Sequence, residues 1–449
     1  HSAYSDTVKL RRKALACLAL AEHAERKSRY LEDIINGIWC ICEESTWILP
    51  DNSGYLRDAE NPRFDAESAA TAALLALSVH LFRKELPMMV KKRAVHEIQK
   101  RVLRPFEDAK QLSPYSVSQT LIACLFAEND DEKRRSIVDK SIETLDMFLG
   151  EFSQNGIKTK NEQGLYTWSA YIFDILEMIY NATDQKFEAF SDERLKYAAD
   201  FIYKIHMGSD GFAENVTEED GPRTYLFGKR MDSKKLVDFG ASEFLKLEDK
   251  TLPDSTNLFH KLYSLKYTAE IVNYGDNFDE QECGYIESMD LFVKKTKTFS
   301  VAIKGGSNAA GNFMAYLENE PYVVDLEKSH NLPMINGFYQ FPNTKKATVE
   351  VLDNGLALDL SKTYPKEAGV ISWMRSIEAE EKYIIITDDY ELSKLDDLKF
   401  ILLLNQKPII SENRILAGDA SVLWDGNIAL RVELVKSKTY DFIYRMLFH

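Results

Sequence analysis

The sequence predicts an α+β protein of two domains, helical hairpins first and antiparallel β-sheet second. Three observations carry this reading. Apolar residues recur at helical spacing from about residue 9 to residue 271. From about residue 284 the period shortens towards two, with β-branched and aromatic runs between polar turns. The switch happens once, which argues against the repeated βα units of a Rossmann or TIM fold. The polar stretch 273–281 holds the change of period, so the domains are expected at 1–275 and 276–449.

The helical part begins with Ala14, Leu18, Ala21 and Ala24 on one stripe, then Leu31, Ile34, Ile35, Ile38 and Trp39 on a second. The segment from Glu43 through Trp47 ends in the breaker Pro50, and Trp39 and Trp47 read as packing residues or as sugar-stacking aromatics. Residues 65–82 are alanine-rich and strongly helical, and 90–102 forms an amphipathic helix expected to stop before Pro105. Further helices are expected at 118–126, 137–152, 170–180, 194–207 and 258–271. Helices of this length joined by polar turns suggest antiparallel hairpins stacked around an axis, and no fixed-period repeat is present. Residues 208–250, with Asp210-Gly211, Gly221-Pro222 and Phe227-Gly228, read as an irregular loop that presents Tyr225, Lys229 and Arg230 at a rim. Strands are expected at 300–303, 312–317, 322–325, 347–351, 371–377, 383–387, 399–404, 422–424, 429–435 and 440–447, fitting a sandwich or stacked sheets.

With 449 residues, 45% of them hydrophobic, the chain can bury a large core. Its formal charge of −15 argues against non-specific binding to nucleic acid or to an anionic membrane, while leaving room for a local basic cleft. No apolar run approaches a membrane span and no signal sequence is visible. The five cysteines are odd in number and form no CxxC, so neither a disulfide scaffold nor a cysteine-based zinc site is suggested. Cys17 and Cys124 read as small buried hydrophobes.

No P-loop, dinucleotide fingerprint, HExxH or G-x-S-x-G motif is present, and Gly305-Gly306 reads as a turn between strands. His330, beside Asn331 and before Leu332-Pro333, is a solvated turn residue or a proton-transfer group. Asp325 and His330 could share a divalent metal, although two ligands do not make a zinc site. Glu162, Tyr166 and Trp168 lie at the start of the 170–180 helix, where a tyrosine could protonate a leaving oxygen, a carboxylate could position it and an indole could stack on a sugar. Aromatic packing is the alternative. Ser113-Pro114-Tyr115-Ser116 offers hydroxyls ahead of the 118–126 helix. No pair of glycosidase carboxylates stands out.

Taken together these patches resemble the heparinase II/III-like polysaccharide lyases. The resemblance is carried by Asp33-Ile34-Ile35-Asn36-Gly37-Ile38-Trp39, Phe64-Asp65-Ala66-Glu67-Ser68 and Arg101-Val102-Leu103-Arg104-Pro105-Phe106. It is most specific in Lys304-Gly305-Gly306-Ser307-Asn308, Gly311-Asn312-Phe313 and His330-Asn331-Leu332-Pro333. It implies an incomplete (α/α) toroid followed by antiparallel β-sheets, and β-elimination on an acidic polysaccharide, possible as a homo-oligomer and without a redox cofactor. In that family Tyr166, with Glu162, would move the proton. Tyr115, Trp168, Tyr225, Arg230 and Asn331 would contact substrate. Asp325 and His330 match positions that hold a structural divalent metal, zinc by ligand type. The chain departs from the family where a His- and Asn-rich loop is replaced by the direct crossing Asn308-Ala309-Ala310-Gly311-Asn312. It departs again between Asp325 and His330, and at Gln111-Leu112-Ser113-Pro114-Tyr115. Either a diverged relative or a written sequence that omits loops would show such crossings. A carbohydrate-binding relative without catalysis and a glycoside hydrolase are the competing functions.

Overall fold

The computed structural model describes residues 2–49, 61–153, 156–157, 165–204, 206, 221–246, 257–279, 282–287, 290–296, 299–306, 309–317, 320–325, 330–341, 347–380, 383–395, 397–411, 414–417, 420–423, 430–435 and 443–448. The chain divides into two compact units. The first comprises His1–Ser153, Gly164–Tyr203 and Thr217–Phe278; the second comprises Gln154–Gln163, Lys204–Val216 and Asp279–His449. Helices come first and antiparallel sheets follow.

The first unit holds α1 Ser2–Glu25, α2 Leu31–Glu43, α3 Ala66–Leu81, α4 Met88–Ile98, α5 Arg104–Asp108 and α6 Pro114–Ala127. It continues with α7 Asp131–Leu149, α8 Leu165–Ala182, α9 Glu193–Lys204, α10 Gly221–Arg230, α11 Lys234–Lys246 and α12 Leu258–Tyr274. At its centre α3 packs on α6, and both are apolar nearly all round. Their alanines, serines and threonines let the two axes approach closely. Each start is fixed by a cap. Asp65 accepts from the amides of Glu67 and Ser68, and Ser113 forms a reciprocal box with Ser116.

Three expectations are corrected here. Helix α1 buries Val8, Arg12, Leu15, Ala16 and Ala19 rather than the stripe through Ala14 and Leu18, and Cys17 is exposed. The cause is Arg12, which turns inward to Glu44 (Nη2 to Oε2, 2.7 Å) and to Thr71 Oγ1 (2.7 Å), making a charged residue part of the inner face. Pro105 does not follow a finished helix. A π turn at Gln99–Leu103 leads directly into α5, and Pro105, its second residue, follows that wider turn within a continuous helical backbone. Residues 221–246 are not a loop but the hairpin α10–α11, with Tyr225 only 3% exposed. Its glycines are packing surfaces: a Cβ on Gly240 would overlap the Tyr225 backbone nitrogen, and one on Gly228 would lie 2.5 Å from the Val237 nitrogen.

Strand β1 Phe152–Ser153 belongs to the first unit; in the second the strands are β2 Gly156–Ile157, β3 Glu282–Ile286, β4 Leu291–Lys295, β5 Phe299–Lys304, β6 Phe313–Leu317, β7 Glu320–Val323 and β8 Met334–Ile335. They continue with β9 Thr348–Leu352, β10 Gly355–Asp359, β11 Val370–Ala379, β12 Ile384–Leu392 and β13 Leu398–Leu404. The last five are β14 Ile409–Ser411, β15 Arg414–Ala417, β16 Ala420–Leu423, β17 Leu430–Val435 and β18 Ile443–Phe448. The largest sheet runs β17-β18-β13-β7-β6-β5-β4-β3, with β8 also on β13; a second runs β12-β11-β10-β9, and a third β14-β15-β16. Phe292, Val301, Ile303 and Phe313 of the first meet Leu356, Leu358, Trp373 and Ile377 of the second in one apolar core. Strands β1, β2, β3, β4, β8, β10, β14 and β15 were not expected. They are two to five residues long, too short for a period to register, and β4 and β10 contain or adjoin charged and turn-forming residues such as Lys294, Lys295, Asp353 and Asn354. Among the described residues no helix is long and apolar enough to cross a membrane.

Candidate functional site

Three helices of the first unit bring together a buried polar group. Asp174 of α8, Arg223 of α10 and His260 of α12 are each at most 4% exposed. Asp174 Oδ2 accepts from His260 Nε2 at 2.7 Å and from Arg223 Nη1 at 3.2 Å. Asn257, the N-cap of α12, accepts from the His260 amide and so fixes where the imidazole starts. A buried carboxylate persists only with such partners. Asp174 Oδ1 accepts no hydrogen bond among the described residues.

Half-buried aromatic rings lie on this group. The Tyr171 ring stacks on His260 at 5.7 Å between centroids, with the Arg223 guanidinium 5.0 Å from the Tyr171 centroid. Tyr115, in the first turn of α6, also packs on Tyr171, at 4.9 Å between centroids. Burial, reinforced by the nearby Glu67 carboxylate, pushes the Tyr115 phenol well above its ordinary value, so Tyr115 stays protonated. A small recess touches Tyr115, Gln119, Asn257 and Leu258. The arrangement sets a tyrosine ring against an imidazole and a guanidinium.

Of the residues expected from sequence, Tyr166 and Trp168 fall in the first turn of α8. That turn is about 12 Å of helix rise before Asp174. The side chains of Tyr166 and Trp168, and the whole of Glu162, lie outside the described residues. Arg230 grips Glu177, one turn beyond Asp174, through two bonds of 2.8 Å, and covers the Tyr180 ring. Tyr225 donates to Glu270 Oε1 at 3.0 Å, the same oxygen that receives Lys229 at 2.5 Å. Asp174, Arg223 and His260 were missed by sequence reasoning. The available signal was a carboxylate inside the apolar stripe Ile172-Phe173-Asp174-Ile175-Leu176, which demands a partner from elsewhere in the chain.

The second unit has its own polar cluster where β5 and β7 end. Asp325 Oδ1 accepts from His330 Nδ1 at 2.6 Å and Oδ2 from Lys304 Nζ at 2.9 Å. Burial works against ionisation of Asp325, yet the hydrogen bond from His330 and the charge of Lys304 hold its carboxyl below the usual range. Asn331 is 2% exposed and both of its amide N–H groups are taken, by the Phe313 and Val324 carbonyls, while its oxygen receives the Leu403 amide. Its peptide oxygen accepts from Arg375, which is itself paired with Asp388 through bonds of 2.7 and 2.8 Å. Asn331 thus ties strands to one another.

The residues here do not fit the structural metal that the family resemblance implies. Two donors on one tetrahedral zinc stand about 3.4 Å apart, given metal–ligand bonds of about 2.1 Å. Asp325 and His330 are instead in direct hydrogen-bond contact, and an ammonium lies on the other carboxylate oxygen. Among the described residues no group of three or more His, Cys, Asp or Glu could hold a metal ion.

No protein-family model matches the chain, and no curated protein does. Solved structures match over nearly its whole length. A mutant of heparan sulfate lyase HepC from Pedobacter heparinus is 13% identical, with a TM-score of 0.57, covering 98% of this chain and 73% of that one. A chondroitin AC lyase from Streptomyces coelicolor A3, in complex with chondroitin sulphate, is 10% identical with a TM-score of 0.59, covering 98% of this chain and 72% of that one. Identity this low establishes the fold, so the chain has a polysaccharide lyase fold, helices followed by antiparallel sheets.

Proposed function

We propose that this chain is a polysaccharide lyase that cleaves an acidic, uronate-containing glycan by β-elimination. The observation that carries the reading is Tyr171, whose ring meets Tyr115, His260 and Arg223 on a lyase fold, with Asp174 fixing the last two. Elimination removes a carbon-bound proton beside the uronate carboxylate and returns a proton to the departing glycosidic oxygen. The carbon acid is weak, so the site must supply fixed positive charge and a preorganised proton donor. Arg223 and His260 are buried behind Tyr171 and act as positioning residues, with Asp174 fixing both.

Proton transfer falls to a tyrosine of α8. Tyr166, supported by Glu162, is the candidate from sequence; Tyr171 is the candidate from geometry. Trp168, Tyr115 and Arg230 would line the glycan, while Tyr225 and Asn331 act from inside the fold, through Glu270 and through the strands around Val324. Heparan sulfate and chondroitin sulphate are the first substrates to test, since the similar structures are lyases named for them. The chemistry needs no redox cofactor.

The test is incubation of the purified chain with a panel of uronate polymers, following the ultraviolet absorbance of the unsaturated uronate end. Growth of that absorbance supports the lyase. New reducing ends without unsaturation would reassign the chain to the glycoside hydrolases. Saturable binding with no cleavage would support a second reading, a carbohydrate-binding relative. That reading is favoured by the closed turn between β5 and β6, where Gly311 N–H donates to Lys304 O at 2.7 Å and Lys304 N–H to Asn312 O at 2.8 Å, leaving a short crossing.

A further inference from the structure

We propose that the ammonium of Lys304 takes the place of a divalent cation at the Asp325–His330 pair, so that this corner of the sheet is held without metal. Three strand ends converge here. Lys304 closes β5, Asp325 follows β7, and His330 begins the stretch that leads into β8. A bound dication would serve this corner by drawing two donors to one point and cancelling the buried carboxylate charge. Here each task has a protein group. The His330 imidazole reaches Asp325 Oδ1 directly at 2.6 Å, and the Lys304 ammonium satisfies Oδ2 at 2.9 Å. Asp325 and Lys304 are partly shielded, with side chains 13% and 27% exposed, so their attraction is less screened than that of a surface pair.

The backbone delivers Lys304 to this position. Its neighbour Gly305 donates to the Asp290 carbonyl at 2.5 Å, and a Cβ on Gly306 would lie 2.5 Å from the Asp290 carboxylate. The Gly305-Gly306 pair therefore lets the chain pass against the β3–β4 turn and sets the end of β5. This is the physical role of a glycine pair that carries no phosphate-binding pattern. Asn331, next to His330, is locked to Phe313, Val324 and Leu403, which anchors the backbone beside the imidazole.

The test is independent of any activity. The full chain is purified, dialysed against a chelator, and compared with untreated and zinc-supplemented samples for bound metal and for thermal midpoint. The expected result is less than a stoichiometric amount of metal in every sample and no shift with chelator or zinc. Lys304→Met should lower the midpoint by a few degrees, while Lys304→Arg, which keeps the charge, should recover most of the loss. Stoichiometric metal that leaves with a drop in midpoint would overturn the proposal, as would a Lys304→Met protein as stable as the parent. If Lys304→Met fails to fold, the metal content and chelator response of the parent chain, with the Lys304→Arg comparison, still decide the matter.

Discussion

His260 Nε2 and Asp174 Oδ2 lie 2.7 Å apart across 86 residues of sequence, and Arg223 reaches the same carboxylate oxygen. One oxygen thus ties α8, α10 and α12. Asp174→Asn would remove the negative charge that Arg223 and His260 both meet, and breaking a buried pair by losing one partner costs about 3–5 kcal/mol in comparable cases. The expected outcome is a clear fall in the denaturant midpoint of the full chain. His260→Gln keeps a polar side chain for Asp174 and should lose less stability. Equal stability of Asp174→Asn and the parent would mean that this cluster does not hold the helices together.

Tyr166 and Tyr171, the two proton-transfer candidates of α8, can be separated by kinetics. Tyr171→Phe keeps the ring on His260 and removes only the hydroxyl. If Tyr171 donates the proton, elimination on the best uronate polymer should fall by about 10²–10⁴-fold with KM little changed. Tyr166→Phe should then cost far less. The reverse ranking would move the proton-transfer role to Tyr166. Circular dichroism and the thermal midpoint, expected to be unchanged for both variants, distinguish lost chemistry from lost fold.

How much of this could be read from the residues differs by element. Long periodic runs such as 65–82 carry their own start signal in Asp65, and α3 begins there. The single change from helical to strand period also corresponds to the passage from α12 to β3. The hairpin α10–α11 was hidden because Gly221, Gly228 and Gly240 look like turn residues in one dimension. Only the partner helix reveals that they permit contact. The buried face of α1 was misjudged because Arg12 counts as polar until Glu44 and Thr71 are brought to it. The same holds for the candidate site. Asp174, Arg223 and His260 are separated by tens of residues, and no local spacing joins them. Asp325 and His330 were visible as neighbours in sequence, whereas the contribution of Lys304 depends on strand pairing.

The glycines of the first unit should divide sharply on substitution. Gly240→Ala puts a methyl group into the Tyr225 backbone, and Gly228→Ala puts one 2.5 Å from the Val237 nitrogen. Neither neighbour can yield without separating α10 from α11. Overpacking of this kind typically costs about 1–3 kcal/mol, occasionally more. Gly37 in α2 meets only the Leu15 side chain, no closer than 3.4 Å at its tip. Gly37→Ala should therefore be neutral or stabilising by up to about 1 kcal/mol, the helix-propensity gain of alanine over glycine. Thermal unfolding of the three variants checks the order; a destabilised Gly37→Ala with an unaffected Gly240→Ala would contradict the packing described here.

Tyr225 gives the chain a dependence on alkaline pH. Its phenol is pushed up to about 12, first by burial and then by its bond to the Glu270 carboxylate. An unfolded phenol ionises near about 10. Between these values the folded chain keeps a proton that the unfolded chain has released, so Tyr225 stabilises the fold fully below about 10 and loses that contribution as pH rises towards about 12. Tyr225→Phe removes the ionisation and the bond together. Relative to this variant, the parent should be more stable near neutrality and should converge with it as the solution becomes strongly alkaline. Glu270 works at the other end. The bond from Lys229 holds its carboxyl below the ordinary range, so its contribution is lost as pH falls, and with a side chain 43% exposed that contribution is small. Chemical unfolding of both proteins across the alkaline range, with phenolate absorbance read alongside, checks the prediction. A stability difference that stays constant with pH would show that Tyr225 ionises in the folded chain as it does in water.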